Sequence, residues 1–409
     1  MLFALAVLHT FAAKQFERLS HRFPRHAGLF HLLGEVEVVF GFWAIVLVLA
    51  MAVLGGGADA LAYAESRQYT EPLFVFVVMV IAASRPVLHT VLGATQALSR
   101  RLPIPAPLAA AWLGLAVVPL VGSLITEPAA MTIAALMLGP QIFREQIPER
   151  LKYFALGVLF VNVSIGGTMT SFAAPPVLMV AGAWGWTSSF MFATFGWKAA
   201  IAVLVNASVA VLLLRRHLQH GRRPFRGAPA HGRIPAAVAM LHIGFLAAVI
   251  LLAHHPVAFL AVFLMFLGFA QAYERFQNTL ILREALLVAF FLAGLVVLGG
   301  MQQWWLQPLV AKMSPRSLFF GTAALTAITD NAALTYLGSL IEGISDEAKY
   351  SLVAGAVAGG GLTVIANAPN PAGVALLKRG FADESIGAAG LFAGALLPTL
   401  LAMAAFSLL

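Results

Sequence analysis

Ile125-Thr126-Glu127-Pro128-Ala129-Ala130-Met131-Thr132 reads ITEPAAMT, and Ile328-Thr329-Asp330-Asn331-Ala332-Ala333-Leu334-Thr335 reads ITDNAALT. Five of the eight positions are identical, and the acid keeps its place while Glu becomes Asp. A second echo follows each copy. Gly166-Gly167-Thr168-Met169-Thr170, with Ala174-Pro175 further on, answers Gly360-Gly361-Leu362-Thr363 with Ala368-Pro369. Acidic, Gly- and Pro-interrupted stretches in matched positions of two apolar halves are the pattern of a secondary transporter built from repeats, with its site where the repeats meet.

The composition around these stretches fixes the class. Hydrophobic residues make up 61% of the 409 residues and charged residues 10%, and the mean hydropathy is +0.90. A soluble domain is about half apolar and a quarter charged. Apolar runs able to cross ~30 Å of hydrocarbon recur along the chain, which predicts an all-α polytopic membrane protein. The net charge of +8 does not indicate a nucleic-acid partner, because Lys and Arg fall in short loops between apolar runs, the topogenic pattern. The chain has no Cys, which excludes thiolate metal sites, thiol catalysis and disulfides. The opening MLFALAVLHTFAA lacks a basic segment ahead of its apolar stretch and does not read as a cleaved signal peptide. Neither a Walker A sequence nor HExxH is present. An intramembrane hydrolase using Glu127 and Asp330 would need a nucleophile or metal constellation, and the His residues fall mostly in loops. The reading is a transporter, not an enzyme, with no cofactor beyond the transported ions.

Ten apolar helices are expected over 1–16, 34–54, 71–92, 151–190, 194–214, 235–253, 256–272, 283–301, 350–377 and 385–408. The connection 14–26 is basic, 55–71 leans acidic, and Arg100, Arg101 and the stretch from Arg215 to Arg233 are basic again. Placing the basic loops in the cytoplasm forces 107–143 to leave and return on the cytoplasmic side, and 303–345 to do so on the outer side. Each is then a re-entrant hairpin with one acidic motif near its middle. The expected organisation is a first repeat over 1–214, a basic cytoplasmic linker over 215–233, and a second repeat over 234–409, oppositely oriented, each of about five helices plus one hairpin. The broken helices are 151–190 and 350–377. Residues 1–16 are short before Lys14 and fit a span or an interfacial helix.

A chain that turns inside the membrane leaves backbone N–H and C=O groups that only protein or a water-filled cavity can satisfy. Pro128 and Asn331 suit such turns. Gly166-Gly167 ahead of Pro175-Pro176, and Gly359-Gly360-Gly361 ahead of Pro369-Asn370-Pro371, are expected to unwind two helices at mid-depth, so that half-helix ends converge and offer dipoles and free carbonyls to an ion. A carboxylate at the bilayer centre costs at least ~2.5–3.5 kcal/mol, so its presence suggests a function. It can be neutralised by a proton or by a bound cation, and that competition is the physical core of cation/proton exchange. The alternative for each acid alone is a structural cap on the helix that follows it.

Glu127, Asp330, Asn331, Thr126 and Thr329 are therefore the candidate proton and cation ligands, with Na+ held around Asp330 and Glu127. Asn162, Gly166, Gly167, Thr168, Thr170, Gly361, Thr363 and Asn367 form the candidate broken-helix site, its Thr and Asn oxygens being hard donors suited to Na+. Lys198 and Arg85 are candidate charge partners. Lys198 either neutralises an acid or snorkels to the nearby interface. Arg85 either serves an anion or pairs with an acid or carbonyl at a Pro kink.

The run from Asn162 to Pro176 resembles the N-x-G-G-x-x-T-x-x-x-x-P-P unwound-helix signature of the ion transporter superfamily, which includes NhaD-type sodium/proton antiporters, arsenite permeases and sodium–dicarboxylate carriers. Asp330-Asn331 resembles the Asp-Asn hairpin tip of the NhaD and arsenite-permease branch, and the Ser-Asn-Thr tip of the dicarboxylate branch is absent from both hairpins. Two stretches depart from the pattern: Glu127-Pro128 stands at the first tip, and Phe172-Ala173-Ala174 replaces Ile-Gly-Asp. The nearest likeness is to the sodium/proton antiporter group of this superfamily. The resemblance implies alternating access, transported Na+ and H+, and a small inorganic ion as partner. It also implies a lipid-embedded multi-pass protein of the inner cell membrane and a homodimer. The alternative is an ion-coupled anion, arsenite or carboxylate carrier of the same fold. Because the Asp-Asn tip is the better match, loss of the Asp330 charge is expected to cost more than loss of Glu127.

Overall fold

The computed structural model describes residues 1–219, 234–310 and 312–409. Among these residues the elements are helices and turns with no strand. The chain-order helices used below are α1 Leu2–Arg22, α2 Val36–Gly55, α3 Thr70–Ala82, α4 Arg85–Ser99, α5 Ala106–Leu115, α6 Val117–Ile125, α7 Glu127–Leu138, α8 Glu149–Gly166 and α9 Pro175–Trp184. They continue with α10 Trp197–Gln219, α11 Ala236–Leu251, α12 Pro256–Ala272, α13 Leu282–Gly299, α14 Pro315–Thr326, α15 Asn331–Ser339, α16 Asp346–Gly359, α17 Asn370–Leu377 and α18 Ala388–Leu408. The protein is an all-α polytopic membrane protein.

Among the described residues five helical stretches are long and apolar enough to cross a membrane, and seven if two bent pairs each count as one span. This is fewer than the ten apolar helices expected, two of them broken, for reasons written in the sequence. Gly166 and Gly359 end α8 and α16 in mid-chain, leaving α9 and α17 as short partners of 10 and 8 residues. α11 and α12, at 16 and 17 residues, are short apolar helices. The stretch 71–92 is not straight: α3 and α4 meet at a 64° bend, where Pro86 sits in the first turn of α4 and cannot continue the α3 ladder. α1 runs on through Lys14 and Arg18 to Arg22, so those residues lie on a helix and not in a loop. Residues 220–233, most of the basic linker with Arg222, Arg223, Arg226 and Arg233, lie outside the described residues.

The packing places matched segments in matched partnerships. α7 packs on α17, and α15 packs on α9. α8 lies along α6 and α10, and α16 lies along α14 and α18. The buried centre is built around α7, α8 and α16, which are mostly fully enclosed. Around it stand helices such as α2, whose outward Leu and Val side chains remain exposed, as lipid-facing surfaces require. Small residues allow the closest approaches. A Cβ on Gly157 would collide with the Gly394 and Ala395 backbone of α18, and one on Gly355 with the Phe319 carbonyl of α14.

Candidate functional site

The first acidic tip is a sharp turn between α6 and α7. Thr126 carries it at φ 81°, ψ 153°, a left-handed conformation that a β-branched residue adopts only under constraint, at a cost of ~1–3 kcal/mol. This turn makes Glu127 the first residue of α7, with Pro128 in the first turn where its missing N–H is not needed. Glu127 is completely buried. Its Oε2 accepts a 2.8 Å hydrogen bond from Asn367 Nδ2, which comes from the unwound stretch after α16. Its Oε1 has no hydrogen-bond partner among the described residues and lies over Gly167, where a Cβ would stand 2.6 Å from that oxygen. Gly167 is therefore the residue that leaves room for the carboxylate. The backbone N–H of Glu127 points to the Ala173 carbonyl at 3.5 Å.

The second tip uses its acid differently. Asp330 is the N-cap of α15, and its Oδ1 accepts the N–H groups of Ala332 at 2.8 Å and Ala333 at 3.2 Å. Asn331 becomes the first residue of that helix and is completely buried, and neither polar atom of its side chain has a hydrogen-bond partner among the described residues. It faces the break after α16: a Cβ on Gly360 would lie 2.9 Å from Asn331 Nδ2 and would collide with Ser164 Oγ.

The two breaks are held open by side-chain hydrogen bonds that replace the helical ladder. Ser123 Oγ donates to the Gly166 carbonyl at 2.6 Å and accepts from the Met169 N–H at 3.0 Å, while Thr170 Oγ1 donates to the Ser123 carbonyl at 2.7 Å. In the other half, Thr363 Oγ1 donates to the Ala327 carbonyl at 2.8 Å. Asn370 Nδ2 donates to the carbonyls of Gly360 at 2.8 Å and Thr363 at 2.9 Å. The breaks also touch each other, since Ser164 Oγ donates to the Val357 carbonyl at 2.8 Å and Gly361 packs on Val161.

The structure thus brings Glu127, Thr126, Asn331, Gly166, Gly167, Gly361, Thr170, Thr363 and Asn367 to the tips and breaks. Other candidates are engaged elsewhere. Asn162 donates to the carbonyls of Leu115 and Val203 and accepts from Asn206, tying α8 to α5 and α10. Thr168 and Thr329 bond back to their own turns, at Ile165 and Leu325. Lys198 Nζ donates to the Tyr350 hydroxyl, which donates to the Phe406 carbonyl. Arg85 opens α4 at the bend, with its backbone N–H held by Asn278 Oδ1, and both α3 and α4 touch α7. The candidate set from the sequence omits Ser123 and Ser164, and it takes Gly360 and Asn370 only as part of the helix break. Ser123 lies one helical turn before Glu127 and Asn370 between two prolines, and both spacings were visible.

Chemically, the centre holds one carboxylate with an unpartnered oxygen. The hydroxyl of Thr126 and the carboxamide oxygens of Asn331, Asn367 and Asn370 are also buried without hydrogen-bond partners. Asp330 lies within electrostatic reach of Glu127. Unpartnered buried oxygens of this kind suit a small hard cation better than a transition metal. Broken helices beside a buried acid fit a membrane ion transporter. Over residues 1–409 the sequence matches the family described as "Putative Na+/H+ antiporter", and the chain belongs to that family. Among curated proteins none matches it.

Proposed function

We propose that this protein exchanges Na+ for H+ across the inner cell membrane, with Glu127 as the carboxylate for which the two ions compete. The observation that carries this reading is the Glu127 side chain itself: fully buried, anchored through one oxygen by Asn367, and presenting the other, unpartnered, over Gly167. An unprotonated carboxylate in that position requires a counter-charge. Na+ bound at Oε1, with help from Thr126, Asn331 and Asn367, supplies it; a proton supplies it otherwise. Binding of one ion then requires departure of the other, which is the coupling an antiporter needs.

Asn367 Nδ2 reaches Glu127 from the other half of the chain, so protonation or cation binding alters a contact between the two sets of elements. This supports alternating access in which the hairpins and broken helices, arranged as inverted repeats over 1–214 and 234–409, move against the remaining helices. The Asp330 charge acts beside the site by capping α15 and by its field, and it is secondary to Glu127. The test is ion-scanning in proteoliposomes with an internal pH dye. Na+ added outside acid-loaded vesicles is expected to drive proton efflux, while arsenite and carboxylate anions leave the signal unchanged. A response to an anion and none to any alkali cation would transfer the site to an anion carrier.

A further inference from the structure

A separate cavity of about 170 Å³ lies between the start of α3, the end of α9 and the turn joining α11 to α12. Its polar wall is made by Thr70, Glu71, Ser171, Ser188 and His254, and Phe172 lines it beside them. The Glu71 carboxylate lies against Gly182, where a Cβ would stand 3.5 Å from Oε1, and within electrostatic reach of His254. Ser171 and Ser188 hydroxyls are hydrogen-bonded at 3.1 Å, joining the unwound stretch to the helix that leads into α10. The volume holds several waters or a hydrated monovalent cation.

Two features give the cavity a direction. Ser171 and Phe172 belong to the unwound stretch between α8 and α9, and the next residue, Ala173, offers its carbonyl to the Glu127 N–H. The cavity thus lies one residue along the chain from the backbone that touches the buried acid. At its other end, Ser188 begins the 31-residue span that runs to Leu218. Arg215 and Arg216 lie near the far end of that span, about 40 Å away at 1.5 Å per residue. With those arginines cytoplasmic, the cavity stands on the outer side.

We propose that this cavity is the outer vestibule of the transport path, and that Glu71 is a cation-attracting carboxylate which takes a monovalent cation between the outer solution and Glu127. This rests on the exchange reading for its final destination, but not for its geometry. Phe172, at the boundary between cavity and centre, is the side chain that must yield for the cation to pass. Neither Glu71 nor His254 belongs to the acidic tips, so loss of Glu71 weakens access from one side without removing the exchange carboxylate.

Two measurements test it. Because the chain has no cysteine, Ser171→Cys introduces a single thiol. A membrane-impermeant thiol reagent is expected to label it in right-side-out vesicles, with labelling slowed by external Na+ but not by external choline. Labelling from the cytoplasmic side alone, or none in detergent-solubilised folded protein, overturns the vestibule whatever the transport activity. In addition, Glu71→Gln is expected to raise the external Na+ needed for half-maximal exchange several-fold while leaving the internal requirement unchanged. An equal shift on both sides, or none, overturns the role of Glu71. If Glu127→Gln retains full exchange while Ser171→Cys still labels from outside, the exchange reading fails and the vestibule stands.

Discussion

The two acidic tips start from nearly the same eight residues and reach different surroundings because the helices after them start one position apart. α7 begins on the acid, Glu127, whereas α15 begins one residue later, on Asn331, leaving Asp330 as its N-cap. In both tips the first helical residue is completely buried. The first tip therefore delivers a carboxylate to the centre and the second a carboxamide. The shift has a local cause. Pro128 has no N–H and a fixed φ that suits the first helical turn, so it favours an earlier start, at the cost of a left-handed Thr126. Asn331 leaves two N–H groups of the following turn for Asp330 to accept, at 2.8 and 3.2 Å. The alignment of the acids in sequence is not an alignment of their roles.

Substitutions at the two tips should separate those roles. The largest effect is expected for Glu127→Gln, which keeps the shape but removes the only buried charge at the tips: exchange should fall more than about 100-fold, as when one member of a buried charge pair costing ~3–5 kcal/mol is lost. Yield and thermal unfolding of the purified protein should stay near wild type. Gly167→Ala comes next, because the added methyl would sit 2.6 Å from Oε1 and must push the carboxylate aside. A loss of ~10–100-fold in exchange is expected from such a displacement, and wild-type activity there would mean that Oε1 is not a ligand. Asn331→Ala should raise the half-saturating Na+ concentration about tenfold, the loss of one buried neutral ligand at ~1–2 kcal/mol. The smallest effect is assigned to Asp330→Asn, since Asn caps a helix about as well as Asp; a few-fold change in dye-monitored exchange is the expected limit.

Much of this could be read in the sequence, and the unreadable parts have physical reasons. Membrane class, the paired tips and the paired breaks were legible because Gly, Pro and acid stand out in an apolar chain. The expectation that Asp330 matters more than Glu127 followed the tip that looked more familiar. That ranking is reversed in our proposal, because burial depends on which residue starts the helix, and a one-residue difference in start is below what pattern reading resolves. The Asn367–Glu127 hydrogen bond joins residues 240 apart, and no local signal encodes it. Lys198 left two readings open in the sequence, a partner for the acids or a side chain snorkelling to the interface, and the contact its Nζ makes with Tyr350 is one that no local signal encodes. Ser164 and Ser123 were overlooked because small hydroxyls in helices usually bond their own backbone, whereas here they bridge to the Val357 and Gly166 carbonyls.

Proton release on cation binding tests the central claim most directly. Titrating purified protein with Na+ in two buffers of different ionisation enthalpy counts the protons displaced, since a ligand that must be deprotonated releases its proton when the cation binds. Wild type and Asp330→Asn should each release about one proton per bound Na+, and the Na+ affinity of both should weaken as pH falls, because the protonated carboxyl no longer binds the cation. In Glu127→Gln the release and the pH dependence should both disappear. Proton release that persists in Glu127→Gln and vanishes in Asp330→Asn would contradict the account and return the exchange to the second tip.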